Sequence, residues 1–264
     1  MTIRTDTDIS ALGTFDDQRY AALALRSAEA YQTADPFPHG VYDDFLPEAL
    51  ARRLADEFPE PDSMEWVVRD NADNLRMYQH DETKIPPLYR EILRELNSRQ
   101  FLLFLETLTG IDNLLPDPYF IGGGIHLSGR DGFLNIHADF NWHHKLQAHR
   151  RVNALIYLSD GWKEEWGGAL EFWSRDMTRM VDCAFPAFNR MAVFSTSEHS
   201  HHGQPVPNSC PEGTYRKVLN LYYYTTDRDD EDRNADPHFT KYKTSASPFA
   251  TQLGEDYRSG GTAT

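Results

Sequence analysis

His137-Ala138-Asp139 places a histidine and a carboxylate two residues apart, so on a strand both side chains leave the same face. A second histidine from a distant strand would complete three ligands on one side of a metal ion. Two histidines and one carboxylate with open positions opposite them form the ligand set of a non-haem Fe(II) oxygenase. The segment Ser197-Glu198-His199-Ser200-His201-His202-Gly203 supplies three candidates for that second histidine. His199 and His201 share one face of an extended segment, and His202 takes the other. Further on, Arg216 lies on a strand-like stretch, where its guanidinium offers a fixed, always-charged fork that fits a carboxylate. An iron site that uses an oxo-acid cosubstrate needs such an anchor.

The elements that must position these residues follow from periodicity. In 133–139, Phe133, Asn135, His137 and Asp139 share one face and Leu134, Ile136 and Ala138 the other. Buried ionisable groups on the first face require partners, and a metal is one. In 214–224, Thr214, Arg216, Val218, Asn220, Tyr222 and Tyr224 alternate with Tyr215, Lys217, Leu219, Leu221 and Tyr223. The second set reads as the packed outer face, so Arg216 points inward. There an internal salt bridge and a cosubstrate carboxylate are the two competing partners, and the nearby candidate triad favours the cosubstrate.

Short strands punctuated by glycine are expected at 119–125, 132–139, 152–158, 169–172, 191–196 and 215–225, with no helices between them. This is the grammar of a jelly roll. Before them, helices are expected over 16–31, over 48–58 behind Pro47, and, as one helix or a pair, over 87–109, with a strand at 41–46. Residues 61–86 and the loop 141–150 read as irregular polar segments suited to a lid or to recognition, and their Arg69, Arg76, Lys84, Lys145 and Arg150 permit an anionic or zwitterionic small molecule, with plain surface charge the competing reading. The sequence therefore predicts a mainly β fold, a double-stranded β-helix core at about 117–226. Helical support is expected at about 16–110 and a polar tail at 227–264, together one domain. The acidic run Asp229-Asp230-Glu231-Asp232 reads as a solvated loop, and His143, His144 and His149 read as loop residues rather than ligands. Gly122-Gly123-Gly124 lacks the Lys-Ser/Thr and helix of a phosphate loop, so it reads as a bulge or close backbone approach. Trp162, Trp166 and Trp173 read as core and rim aromatics.

A net charge of −15 argues against a nucleic-acid partner, which requires a clustered basic surface. The two cysteines, Cys183 and Cys210, are too few for a disulfide framework, and no apolar run is long enough to span a bilayer. A cytoplasmic enzyme without a membrane partner is the expectation.

With these blocks in order, the sequence resembles the 2-oxoglutarate and Fe(II)-dependent oxygenases of the prolyl-4-hydroxylase-like superfamily, in its bacterial branch. The resemblance covers roughly residues 36–245. It is carried by Gly122-Gly123-Gly124-Ile125-His126, His137-Ala138-Asp139-Phe140-Asn141, Arg151-Val152-Asn153-Ala154-Leu155-Ile156-Tyr157-Leu158, Gly167-Gly168-Ala169-Leu170-Glu171, and His202-Gly203 through Arg216-Lys217. It implies iron held by His137, Asp139 and His202, because the family's distal histidine precedes a glycine. It implies that Arg216 grips the distal carboxylate of 2-oxoglutarate. His126 lies near the position where many relatives carry a cosubstrate-contacting tyrosine. The chemistry implied is hydroxylation of a small-molecule or amino-acid/peptide-type substrate with O2, releasing succinate and CO2. Asp139 argues against halogenation, since related halogenases lack that carboxylate. The rival readings are a zinc hydrolase on the same ligands, in which Arg216 has no task, and a non-catalytic jelly-roll binding protein.

Overall fold

The computed structural model describes residues 13–242 and 250–251. Four helices come first: α1 Gln18–Gln32, α2 Glu48–Asp56, α3 Pro87–Glu95 and α4 Arg99–Thr109. The side chain of Asp17 caps α1 and that of Ser98 caps α4, and Gly110 ends α4 in the left-handed conformation. Pro47 immediately precedes α2, where a missing N–H costs nothing.

The strands are β1 His39–Tyr42, β2 Val67–Asp70, β3 Asn74–Gln79, β4 Gly124–Ser128, β5 Phe133–Ala138, β6 Trp142–His143, β7 Ala148–Tyr157, β8 Leu170–Trp173, β9 Met180–Ala184, β10 Arg190–Ser195, β11 His202–Gln204, β12 Arg216–Thr225, β13 Lys241–Tyr242 and β14 Ala250–Thr251. Their order in the sheet is β1-β10-β7-β12-β4-β3-β5-β11-β8-β9, with antiparallel pairing throughout. The sheet folds over on itself as a jelly roll. Its two faces have different work, and the alternation along β7 and β12 divides them. Val152, Ala154 and Ile156 of β7, with Leu219, Leu221 and Tyr223 of β12, pack outward against Phe101, Leu105 and Leu108 of α4 and the other helices. Asn153, Leu155 and Tyr157, with Arg216, Val218, Asn220 and Tyr222, face an internal cavity.

Several expected elements move. The segment 61–86 holds the hairpin β2–β3, whose turn is fixed by Asn71 Oδ1 accepting from the backbone N–H groups of Asp73 and Asn74 at 2.9 and 3.0 Å. β3 is held by β4 and β5 on its other edge rather than by its own hydrophobic pattern. The strand expected at 119–125 begins only at Gly124, because the Asp117 carboxylate accepts from the N–H of Tyr119 and of Ile121 and winds that stretch into a turn. The first strand spans 39–42 rather than 41–46. The acidic run is only partly solvated: Asp232 is buried against Arg228 at 3.0 Å, and Asp230 pairs with Arg151 at 3.4 Å. Residues 238–242 return to the barrel, where β13 pairs with β5.

Glycine is required where backbones meet. A side chain at Gly124 would place Cβ 2.2 Å from the carbonyl oxygen of Gln79, and one at Gly123 would place it 2.6 Å from that of Asn220. The expected close backbone approach is therefore present.

Candidate active site

β5 carries His137, Asp139 follows its end, and β11 starts at His202, which lies directly opposite His137 in the antiparallel register. Gly203 allows this pairing, because a Cβ there would come within 2.8 Å of the carbonyl oxygens of Leu134 and Asn135. One ligand atom from each of His137, Asp139 and His202 can be chosen so that all lie within 4.8 Å of one another. Among the described residues this is the set of histidine and carboxylate groups close enough to share an ion. His201 is also buried, but its Nδ1 lies 3.4 Å from the carbonyl oxygen of Ser174, away from this cluster.

The donor atoms are prepared for a metal. Nδ1 of His137 lies 2.8 Å from the carbonyl oxygen of Asn135, and Nδ1 of His202 lies 2.8 Å from that of Ser200. A carbonyl can only accept, so each Nδ1 carries the proton and each Nε2 presents a lone pair. Burial pushes the His202 imidazole down to about 3, with Asp139 opposing, so the ring stays neutral as a ligand must. Burial alone would raise the Asp139 carboxyl, but Arg150 and the two histidines override it and hold the group ionised. Oδ2 of Asp139 accepts from Nδ2 of Asn153 at 2.8 Å and pairs with Nη2 of Arg150 at 3.0 Å. Nε2 of His137 lies 3.5 Å from Oδ1 and Nε2 of His202 lies 3.3 Å from Oδ2, so both imidazole lone pairs face the same carboxylate. The residues present therefore fit one divalent ion bound by two imidazoles and one carboxylate oxygen.

Arg150 was expected in a polar loop. It lies instead on β7, 1% exposed, its Nε donating to Oδ1 of Asn153 at 2.9 Å and its guanidinium 3.4 Å above the ring centre of Tyr222. The neighbouring histidines differ too. His143 is fully buried, its Nδ1 accepting from the N–H of Leu146 at 3.0 Å and its Nε2 3.4 Å from Asp117, which makes it a structural residue. Tyr242 of β13 packs against His137 with ring centres 5.3 Å apart, a neighbour that the sequence did not single out.

The cavity beside the triad measures about 650 Å³. Arg216 enters it from the start of β12. Its Nη1 donates to the carbonyl oxygen of Gly168, and its Nε is buried without a hydrogen-bond partner. No carboxylate pairs with Arg216 among the described residues, so the internal salt bridge that competed for it is not formed. Tyr157, 1% exposed on β7, faces the same space and acts electrostatically on Arg216. Sequence reasoning missed Tyr157, although its place on the inward face of an alternating strand was a readable signal. His126 lines the same end from β4, with Nε2 3.1 Å from the carbonyl oxygen of Gly123.

Comparison with known proteins bears on this geometry. Residues 123–224 match the family model of the 2OG-Fe(II) oxygenase superfamily. A search of curated proteins gives no match. Among solved structures, a Pseudomonas putida prolyl-4-hydroxylase is similar with a TM-score of 0.56 and 20% identity, over 76% of this chain and 98% of that chain. HygX from Streptomyces hygroscopicus, with nickel, 2-oxoglutarate and hygromycin B bound, gives 0.53 and 12% over 81% and 95%. A Trichoplax adhaerens prolyl hydroxylase in complex with a hypoxia inducible factor oxygen degradation domain peptide fragment gives 0.50 and 16% over 80% and 93%. These likenesses show the fold. No helix among the described residues is long and apolar enough to cross a membrane. The family match runs from the glycine cluster before β4 to Tyr224 near the end of β12, the strands that carry the triad and Arg216, and over that stretch the chain is similar to the 2OG-Fe(II) oxygenase superfamily.

Proposed function

We propose that this dioxygenase hydroxylates an unactivated C–H bond of a small-molecule or amino-acid/peptide-type substrate, converting 2-oxoglutarate and O2 to succinate and CO2. In this reading His137, Asp139 and His202 hold the iron, and Arg216 anchors the distal carboxylate of 2-oxoglutarate. The observation that carries it is Arg216, whose Nε is buried without a hydrogen-bond partner and whose guanidinium has no carboxylate partner among the described residues, in a cavity shared with the triad. A zinc hydrolase on the same ligands would leave that cation with no task. The substrate class is supported by the peptide fragment and the hygromycin B bound in two structures of the same fold.

Each residue has a definable part. The backbone carbonyls of Asn135 and Ser200 fix the tautomer of the two histidines, so that Nε2 is the ligand atom in both. Asn153 donates to Oδ2 of Asp139 and the Arg150 guanidinium lies beside it, so the two would hold the carboxylate ionised and fixed in orientation for a metal. Arg216 and the Tyr157 hydroxyl supply donors for one carboxylate, and His126 walls that end of the cavity. Bound iron supplies the one-electron chemistry that couples decarboxylation of 2-oxoglutarate to insertion of one oxygen atom into the substrate. Balance requires one 2-oxoglutarate and one O2 for each succinate, CO2 and alcohol formed.

The test is a screen of amino acids, peptides and natural-product intermediates for substrate-stimulated succinate formation, with chloride present. A product heavier by one oxygen supports the proposal. A chlorinated product, or the same product formed without 2-oxoglutarate, contradicts it.

A further inference from the structure

Arg76 is a second cavity cation that the chemistry described so far does not use. It lies on β3 one residue before Met77, which pairs with Leu127, so it is level with Ser128, the residue directly opposite Arg216 on β12. Arg76, Ser128 and Arg216 thus form a row across three adjacent strands, all lining the cavity. No carboxylate pairs with Arg76 among the described residues, and its Nε is buried without a hydrogen-bond partner. Its Nη1 lies 3.5 Å from Nδ1 of His126. Because Nε2 of His126 faces the carbonyl oxygen of Gly123 and must donate to it, Nδ1 is an acceptor, and the ring points a lone pair at the guanidinium. Burial, and then Arg76 itself, push His126 well below the ordinary histidine range, which preserves that acceptor at neutral pH. A neutral histidine therefore orients Arg76 without neutralising it.

Charge sets what such a cation is for. The cavity is lined by four arginines, Arg69, Arg76, Arg150 and Arg216, against two carboxylates, Asp70 and Asp139, although the whole chain carries −15. Fe(II) and the 2-oxoglutarate dianion cancel each other, so the loaded site keeps two positive charges. Arg150 is committed to Asp139, and Arg216 is the anchor for the cosubstrate. Arg76 lines the same cavity as Tyr222, Tyr242 and the triad, and Tyr242 packs against His137.

We propose that Arg76 binds an anionic group of the substrate, a carboxylate, sulfate or phosphate, and so makes this enzyme selective for small organic anions. The inference rests on the iron and 2-oxoglutarate reading above, and the probe is chosen to separate the two. Protein loaded with Mn(II) and saturating 2-oxoglutarate is titrated with sodium sulfate against sodium chloride at equal ionic strength, following thermal stability. The wild type shows saturable stabilisation by sulfate. Arg76→Gln weakens that response at least ten-fold while its affinity for 2-oxoglutarate stays within about two-fold of wild type. Arg76→Lys, which keeps the charge, retains part of the response and serves should the glutamine variant fold poorly. Three results overturn the proposal: no sulfate effect beyond chloride in the wild type, an undiminished effect in Arg76→Gln, or a ten-fold loss of 2-oxoglutarate affinity in that variant, which would place Arg76 on the cosubstrate. Failure of wild-type protein to bind Mn(II) and 2-oxoglutarate at all would instead refute the underlying assignment.

Discussion

Replacing Arg216 with lysine separates charge from geometry at the proposed cosubstrate anchor. The half-buried Arg216 at the start of β12 has Nη1 committed to the carbonyl oxygen of Gly168 and a buried Nε without a hydrogen-bond partner. A carboxylate entering the cavity can therefore be gripped by a planar fork already held in place, with Tyr157 beside it. Lysine keeps the charge but gives a single point donor and loses the bond that fixes the fork. One hydrogen bond to a charged group is worth about 1.5–3 kcal/mol, which corresponds to a loss of roughly ten- to a hundred-fold in 2-oxoglutarate affinity. The assay is anaerobic titration of 2-oxoglutarate into Mn(II)-loaded protein, with metal affinity measured separately. Metal binding should be unchanged, since Arg216 touches none of the three proposed ligands. Unaltered 2-oxoglutarate affinity in Arg216→Lys would refute the reasoning and move the anchor to another cation, with Arg76 the first candidate.

Further outcomes follow from the same geometry. His202→Ala and Asp139→Ala should abolish stoichiometric Fe(II) binding, whereas His199→Ala and His201→Ala should keep it; loss of iron in the His201 variant alone would show that the wrong histidine had been assigned. Arg150→Leu leaves the buried Asp139 carboxylate without its cation, which should destabilise metal-free protein by about 3–5 kcal/mol, a fall in Tm on the order of 10 °C. Adding Mn(II) should then recover more stability in the variant than in wild type, and equal metal-induced shifts would contradict the pairing. Burial tends to raise Glu198, but its bonds to His238 and Lys241 prevail and bring it down to about 2 from an ordinary 4.5. A depressed carboxyl stabilises the fold above its unfolded pKa and loses that contribution as pH falls from about 4.5 towards 2, so Glu198→Gln should flatten the decline of stability in that window. Parallel urea midpoints at pH 6 and pH 3.5 check it, and an identical decline in both proteins would count against the network.

The parts of the site on strands with strict alternation could be read from sequence, and those defined by pairing across the barrel could not. Along β12 the period of two separates Arg216, Asn220 and Tyr222 from Leu219, Leu221 and Tyr223 without reference to anything else in the chain. His137 and Asp139 are readable for the same reason. Arg76 was legible as one of several cations suited to an anionic ligand, but not as a cavity residue, because β3 carries Leu75, Met77 and Tyr78 beside polar residues without a clear amphipathic pattern and its inward face is set by β4 and β5. Arg150 was hidden by the charged stretch around it, Lys145 through Arg151, which looks like a loop until the buried Asp139 supplies its counter-charge. The return of residues 238–242 was equally illegible, since Tyr242 finds its place only through pairing with β5 and contact with His137. Local periodicity assigns faces, but partners that arrive from distant strands decide which polar residue is buried.

The central claim is that this cavity couples iron and 2-oxoglutarate through His137, Asp139, His202 and Arg216. It is tested most directly by measuring succinate formed from 2-oxoglutarate under air by Fe(II)-loaded protein, beside Asp139→Ala and zinc-loaded wild type. The account predicts one succinate for each O2 consumed by the wild type with Fe(II), and none from either control. Equal succinate formation by Asp139→Ala, or wild-type protein that binds Fe(II) and 2-oxoglutarate yet forms no succinate with or without substrate, would contradict it.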